Sequence, residues 1–231
     1  MKLTFNSVCF SQNSETLLGP IDLKLNIRGI TNVLGYNGAG KSLFLEICHA
    51  MIEPTSGNVY WGTHSAYSSR HLRGFIFQHR VTLFRSVKKN IALPMQTAGW
   101  TKKRIESRLE ELLCMANLEA KGNDPASTLS GGEVQRMALV RALATYPKTI
   151  IMDEPTSSLD PSATTEFEKL ISKSANSGIK FLWATHNVSQ AKRFADDIIF
   201  IAGGKIDESN EADKFFKNPR SIKAKNYIKG I

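Results

Sequence analysis

The chain is short of cysteine, of long apolar runs and, over two stretches, of any acidic residue. Its three cysteines are Cys9, Cys48 and Cys114. An odd number without metal-ligand spacing excludes a disulfide scaffold and a zinc site, and predicts reduced core thiols in a cytosolic protein. The longest apolar runs, such as residues 198–202, fall far short of the ~18 residues that a membrane-crossing helix needs. The opening Met1-Lys2-Leu3-Thr4-Phe5-Asn6 turns polar too soon for a secretory signal. Repeats, low-complexity tracts and Pro/Gly/Ser-rich linkers are also missing. What is there is 231 residues, 42% hydrophobic and 22% charged, the composition of a globular chain with a sizeable core.

The missing acid shapes the charge. Residues 54–105 carry nine basic groups (Arg70, Arg73, Arg80, Arg85, Lys88, Lys89, Lys102, Lys103 and Arg104) and no acid, and residues 214–231 carry six and no acid. Between them, residues 106–213 hold 11 basic and 17 acidic groups. The net charge of +9 implies an acidic partner, whether nucleotide, nucleic acid or anionic lipid. A charge run can equally be a solvated face.

Hydrophobic periodicity places strands at residues 3–10, 21–27, 30–34 and 75–77, and a helix over 41–52 with Phe44, Ile47, Cys48 and Met51 inward. Residues 101–118 read as an amphipathic helix, N-capped by Thr101 and buried along Ile105, Leu109, Leu112, Leu113 and Ala116. A further helix begins near Gly132, with Val134, Met137, Leu139, Val140 and Leu143 along it. Residues 149–152 form a buried strand. Asp160-Pro161 is a cap and first-turn proline for a helix ending at Gly178. Residues 179–183 and 197–202 are strands. This alternation predicts an α/β fold with a mostly parallel sheet, interrupted by a helix-rich lobe over about residues 85–145.

Gly35-Tyr36-Asn37-Gly38-Ala39-Gly40-Lys41-Ser42 follows a strand and opens a helix, and fits G-x-x-x-x-G-K-[ST] throughout. Glycines let the backbone curl so that its N–H groups point inward at phosphate oxygens. The helix that follows aims its free N–H groups and positive dipole end at the same anion. Lys41 can reach the β- and γ-phosphates, and Ser42 can ligate Mg²⁺. Downstream, an apolar strand ends in Asp153-Glu154. Asp153 is placed to hold Mg²⁺, and Glu154 to take a proton from an attacking water. In Leu129-Ser130-Gly131-Gly132-Glu133, the Ser130 hydroxyl and the Gly131 and Gly132 amides form a second anion site at a helix N-terminus.

This ordered set resembles the ATP-binding cassette ATPases, the nucleotide-hydrolysing subunits of membrane transporters, over about residues 3–213. Residues 35–42 resemble the Walker A loop and residues 129–136 the family signature. Asp153-Glu154-Pro155 is similar to Walker B with the catalytic glutamate, and Gln78 in Phe75-Ile76-Phe77-Gln78 to the Q-loop glutamine. Ser157-Ser158-Leu159-Asp160 resembles the D-loop, and His186 in Ala184-Thr185-His186-Asn187 the switch histidine.

The resemblance implies a P-loop NTPase (RecA-like) core with a mostly parallel sheet, an N-terminal antiparallel β subdomain and an inserted helical subdomain at about 85–145. The whole would be one ATPase domain over residues 1–231 with a basic tail from 214. It implies ATP and Mg²⁺ as cofactors and a head-to-tail homodimer. In that dimer the Walker elements of one copy face Ser130, Gly131 and Gly132 of the other. Gly35, Asn37, Gly38, Ala39, Gly40 and Lys41 would cradle the phosphates, with Ser42, Gln78 and Asp153 around Mg²⁺. Glu154 would polarise the water, His186 would contact the γ-phosphate, and Asp160 would couple the two sites.

The implied partners are a separate integral membrane permease, docked on the region after Gln78, and an extracytoplasmic solute-binding protein, with no nucleic acid. The implied location is the cytoplasmic face of the membrane, with the nine basic groups as docking charge beside an anionic leaflet. Residues 77–86, 191–196 and 215–220 are similar to oxyanion importers, above all tungstate, then phosphate. A cassette for another small solute, or a membrane-associated one that drives no transport, remains the alternative. Two positions depart from the family: Gln12 stands where an aromatic residue often stacks on adenine, with Phe10 nearby, and Tyr36 stands where proline or serine is common.

Overall fold

The computed structural model describes residues 2–26, 29–79 and 81–230. Ile27, expected to end the second strand, and Arg80 of the basic zone lie outside the described residues. The chain divides into two compact units. One comprises the residues up to Arg73, Ile151–Glu154 and the residues from Lys180 onward; the other comprises Gly74–Ile150 and Pro155–Ile179.

The first unit opens with β1 (Lys2–Gln12), β2 (Glu15–Asn26) and β3 (Ile30–Leu34), followed by α1 (Lys41–His49), β4 (Ser56–Trp61) and β5 (His64–Ser65). The chain leaves it through β6 (Arg73–Ile76), forms α2 (Val87–Thr97), α3 (Lys102–Ala116) and α4 (Gly131–Leu143), and re-enters it through β7 (Thr149–Asp153). After α5 (Pro161–Asn176) the first unit resumes. It continues with β8 (Lys180–Ala184), α6 (Val188–Phe194), β9 (Asp197–Ala202), β10 (Lys205–Glu211), α7 (Ala212–Lys217) and α8 (Ile222–Lys229).

Two sheets build this unit. One is antiparallel, in the order β2-β1-β4-β5; the larger runs β10-β9-β3-β8-β7. β3 lies parallel to both β8 and β9, and β10 joins antiparallel. Every residue of β3, β7 and β9 is buried. That explains why these strands read as unbroken apolar runs, since a parallel sheet is covered on both faces. The result is the α/β fold with a mostly parallel sheet and an N-terminal antiparallel part. Phe5 of β1 stacks on Phe44 of α1 at 5.0 Å, a pairing that adds roughly 0.5–1.5 kcal/mol beyond its buried area.

Several local expectations need correction. α1 stops at His49 because Ala50 turns left-handed (φ 67), and Met51 is exposed rather than inward. Thr101 stands at the N-cap of α3 but its side chain makes no capping bond, and Leu109 is half-buried. Of the cysteines only Cys48 is in the core; Cys9 is half-buried and Cys114 exposed. Arg73 is buried, not surface charge. Its guanidinium donates to the carbonyls of His49, Ala66 and Ser69, so it braces a turn instead of facing a membrane.

In the second unit α2, α3 and α4 pack on one another and α4 packs on α5. The contact between α4 and α5 is close. A Cβ placed on Gly132 would lie 2.8 Å from that of Ala163, so only glycine fits.

Candidate functional site

In the first unit the chain leaves buried β3 and turns at once. Gly35 (φ 156) has no room for a side chain, because a Cβ there would lie 2.3 Å from the Ile201 carbonyl oxygen. The loop closes on itself through Ala39 N–H to Tyr36 O (3.1 Å), and Gly204 N–H donates to Ala39 O (3.1 Å). Gly40 occupies the N-cap of α1 in a left-handed conformation (φ 100) and supplies no side-chain cap; the first turn holds no acidic residue. The leading amides of α1 are therefore left for an external acceptor.

Lys41, 6% exposed, donates through Nζ to Gly35 O (3.0 Å) and Tyr36 O (3.1 Å) and lies 3.9 Å from Glu154 Oε1. Burial lowers its pKa, and the charges of Glu154 and Asp153 oppose the shift. Asp153 ends β7. Burial raises its pKa, while a hydrogen bond from the Ser42 side chain pulls the other way. The next residue, Glu154, adopts φ 43, a conformation costing a β-carbon-bearing residue about 1–3 kcal/mol. Its N–H is tied to Ala184 O at 2.9 Å. The carboxylate thus turns out of the strand line, and its Oε2 meets His186 Nδ1 at 3.0 Å.

His186 is held by its neighbours. Thr185 Oγ1 donates to Gln190 Oε1 (3.1 Å) and accepts from Asn187 N–H (3.1 Å). Asn187 caps α6 by accepting from Gln190 N–H (2.9 Å). This capping pair was missed in the sequence, although Asn followed three residues later by Gln is a helix-start signal. Another omission was Tyr227 of α8, whose hydroxyl donates to His186 O (3.4 Å) and whose ring meets that of Tyr36 edge-on at 5.0 Å. Nothing local in the sequence announces it.

The second unit carries the other predicted residues. Ser130 N-caps α4: its Oγ accepts from Glu133 N–H (3.3 Å), and Glu133 Oε2 accepts from Ser130 N–H (2.8 Å), a capping box. Lys121 Nζ pairs with Glu133 Oε1 at 2.6 Å and is the main reason that the Glu133 pKa is lowered. The expectation for Ser130 is refined accordingly: one lone pair serves the cap, and the hydroxyl hydrogen stays available as a donor. Asp160 caps α5 by accepting from Ala163 N–H (2.9 Å). Ser130, Gly131, Gly132, Ser158 and Asp160 line one polar cleft of about 690 Å³. Gln78 follows β6 in an exposed bend and is not among the residues lining that cleft. Gln12 is exposed at the end of β1, and Phe10 is half-buried.

A family profile described as ABC transporter matches residues 18–157. The chain is 34% identical over 230 residues to "Methionine import ATP-binding protein MetN" of Halalkalibacterium halodurans, covering 95% of this chain and 68% of the relative. It is 35% identical over 218 residues to "Tungstate uptake system ATP-binding protein TupC" of Peptoclostridium acidaminophilum, covering 94% of this chain and all of the relative. Its fold matches "Structure of ATP binding subunit of ABC transporter" with a TM-score of 0.85 at 21% identity, over 100% and 99% of the two chains. A dimeric ATP-binding cassette in a post-hydrolysis state, bound to ADP and Pi, matches with a TM-score of 0.80 at 27% identity, over 91% and 98%. With a phosphate loop, an acid-tipped strand and a signature helix already in place, the chain belongs to the ABC transporter family, among its ATP-hydrolysing subunits.

Proposed function

We propose that this subunit powers uptake of an oxyanion, tungstate first, as a homodimer on the cytoplasmic face of a membrane permease supplied with solute by an extracytoplasmic binding protein. The observation that carries the catalytic part is the gathering of Lys41 and His186 on the two oxygens of one carboxylate, Glu154.

The residues fit ATP and Mg²⁺. The leading amides of α1 have no side-chain cap, and the ammonium of Lys41 rests on loop carbonyls that phosphate oxygens would out-compete, since charged acceptors bond more strongly. Ser42 and Asp153 are hydrogen-bonded to each other and offer hard oxygens. Among the described residues no cluster of three His, Cys, Asp or Glu could hold a metal, which suits an ion that keeps several waters and shares the phosphates. Ser42, Asp153 and Gln78 would hold Mg²⁺, whose contribution is to neutralise charge on the transferred phosphoryl group.

Gly35, Asn37, Gly38, Ala39, Gly40 and Lys41 orient the phosphates. Glu154 aligns the attacking water and draws off its proton, while His186 fixes that carboxylate and faces the γ-phosphate. Ser130, Gly131 and Gly132 of the other copy close over the same phosphate, and Asp160 links the two sites. The helical stretch at 85–145 is the inserted subdomain that meets the permease. Phe77, Val81 and Phe84 are exposed apolar residues on the segment that follows β6, and exposed apolar side chains are what a partner helix would cover. Among the described residues no helix is long and apolar enough to cross a membrane.

The tungstate assignment rests on the resemblance at residues 77–86, 191–196 and 215–220 and on the tungstate-uptake relative; phosphate or methionine import is the competing reading, methionine because of relatives such as that of Halalkalibacterium halodurans. The test is ATP turnover by the chain reconstituted with its co-purifying permease and the extracytoplasmic binding protein proposed to supply it. Stimulation by tungstate, with none by methionine or phosphate, is expected. Stimulation by methionine alone would transfer the assignment to that solute.

A further inference from the structure

The last helix of the chain reaches the nucleotide end of the first unit. α8 is fixed at its start: Glu208 Oε2 accepts from Arg220 N–H (2.9 Å) and Ser221 N–H (3.2 Å), Ser221 caps the helix through Ala224 N–H (3.2 Å), and the Ser221 hydroxyl donates to Asp207. Ala224 and Tyr227 then enter the apolar cluster under β9 that includes Phe200 and Phe215. Tyr227 is 9% exposed and its ring lies 5.2 Å from that of Phe200.

The far end of that side chain touches two loops that follow different strands. Its hydroxyl donates to the carbonyl of His186 at 3.4 Å, just after β8, and faces the backbone of Gly35, where the phosphate loop leaves β3. Burial raises the phenol's pKa, and the contact with Gly35 pulls it down. Its ring is packed edge-on by Tyr36 at 5.0 Å and 86°. Tyr36, on the loop, is 43% exposed, and this tyrosine of the tail is one of its ring neighbours. A single phenol therefore touches both the start of the phosphate loop and the backbone that carries His186, just beyond the last backbone bond between the two strands, Thr185 N–H to Val33 O at 3.2 Å.

We propose that Tyr227 is a positioning residue for ATP hydrolysis: it staples the phosphate loop to the His186 loop from the C-terminal helix, with Tyr36 as its packing partner. It touches no reacting atom and acts through His186. The inference rests on the reading that His186 acts at the γ-phosphate. It also gives a role to the basic tail apart from its charge, since a partner that shifts α8 would be felt at the hydrolytic site.

The test is steady-state ATPase of the full chain. Tyr227→Phe keeps the ring packing and deletes the hydroxyl that bonds His186 O and faces Gly35. We expect kcat to fall about threefold to tenfold, the span of one net hydrogen bond, with KM for ATP held within about twofold. Tyr36→Ala should lower kcat in the same direction and serves if the first variant does not fold. A purely structural role would lower the melting temperature without this split between kcat and KM. His186→Ala, followed by single-turnover hydrolysis, separates the two ideas. If His186→Ala retains near wild-type turnover, the reading of His186 is wrong. If it is impaired but Tyr227→Phe and Tyr36→Ala keep wild-type kcat, the staple is wrong and the reading of His186 stands. Adding Tyr227→Phe to His186→Ala should cost nothing further. An equal fold-loss in that background would overturn the proposal, because the effect would not pass through His186.

Discussion

At the scale of the residue, the proposed chemistry turns on Glu154. Its left-handed backbone (φ 43) turns the side chain away from the strand line of β7. The cost is tolerated because the N–H is tied to Ala184 O at 2.9 Å and the carboxylate to His186 at 3.0 Å. Glu154→Gln keeps the shape and removes the proton acceptor. Hydrolysis should drop by at least about 100-fold, the usual scale for a general base, while ATP still binds and the chain accumulates as a dimer in light scattering. Turnover within a few-fold of wild type would remove Glu154 from this role. The identity of Glu154 was legible, because it ends an apolar strand as the second of two acids. Its backbone conformation was not, because the bond that supports it comes from Ala184, thirty residues away in sequence.

At the scale of the element, the segment before α2 depends on one buried amide. Asn90 accepts from Leu83 N–H (2.9 Å) and donates to the carbonyls of Leu83 (3.2 Å), Arg85 (3.3 Å) and Ser86 (3.1 Å). From α4, Arg141 donates to Val81 O at 2.9 Å and reaches Asn90 Oδ1 at 3.5 Å. The loop that exposes Phe84 is thereby tied to the helix headed by Ser130. Asn90→Ala should cost about 1–3 kcal/mol, the range for stranding buried backbone groups. Its melting temperature should fall accordingly, and amide exchange should quicken over residues 81–86; unchanged exchange there would show that the loop holds itself. Sequence periodicity found α3, α4 and β9 because their apolar spacing is regular. It put residues 85–145 in a helix-rich lobe but did not delimit α2, whose interior Pro94 breaks the helical pattern. It also missed β10, where Ile206 is the one apolar residue of Lys205–Glu211 and hydrogen bonding to β9 supplies what side-chain pattern does not.

At the scale of the whole molecule, the charge divides into parts with different work. Arg73 is a buried brace, and Arg104 lies over the Trp100 ring at 3.6 Å, so neither is simple surface charge. Arg85 and Lys89 are exposed and Lys88 half-buried, on the segment proposed to face the permease. Replacing these three with alanine should weaken sedimentation with anionic vesicles carrying the permease, increasingly so at low salt where screening is least, and leave basal ATPase unchanged. Equal association of variant and wild type would refute the docking role. The contact between Gly132 and Ala163 bears on the same assembly. The start of α4 meets the first turn of α5 with no room for a side chain on Gly132, so Gly131, Gly132 and Asp160 line one cleft as neighbours. In the proposed dimer they would form a single jaw, so that whatever brings one of them onto a facing subunit would deliver the other in the same stroke.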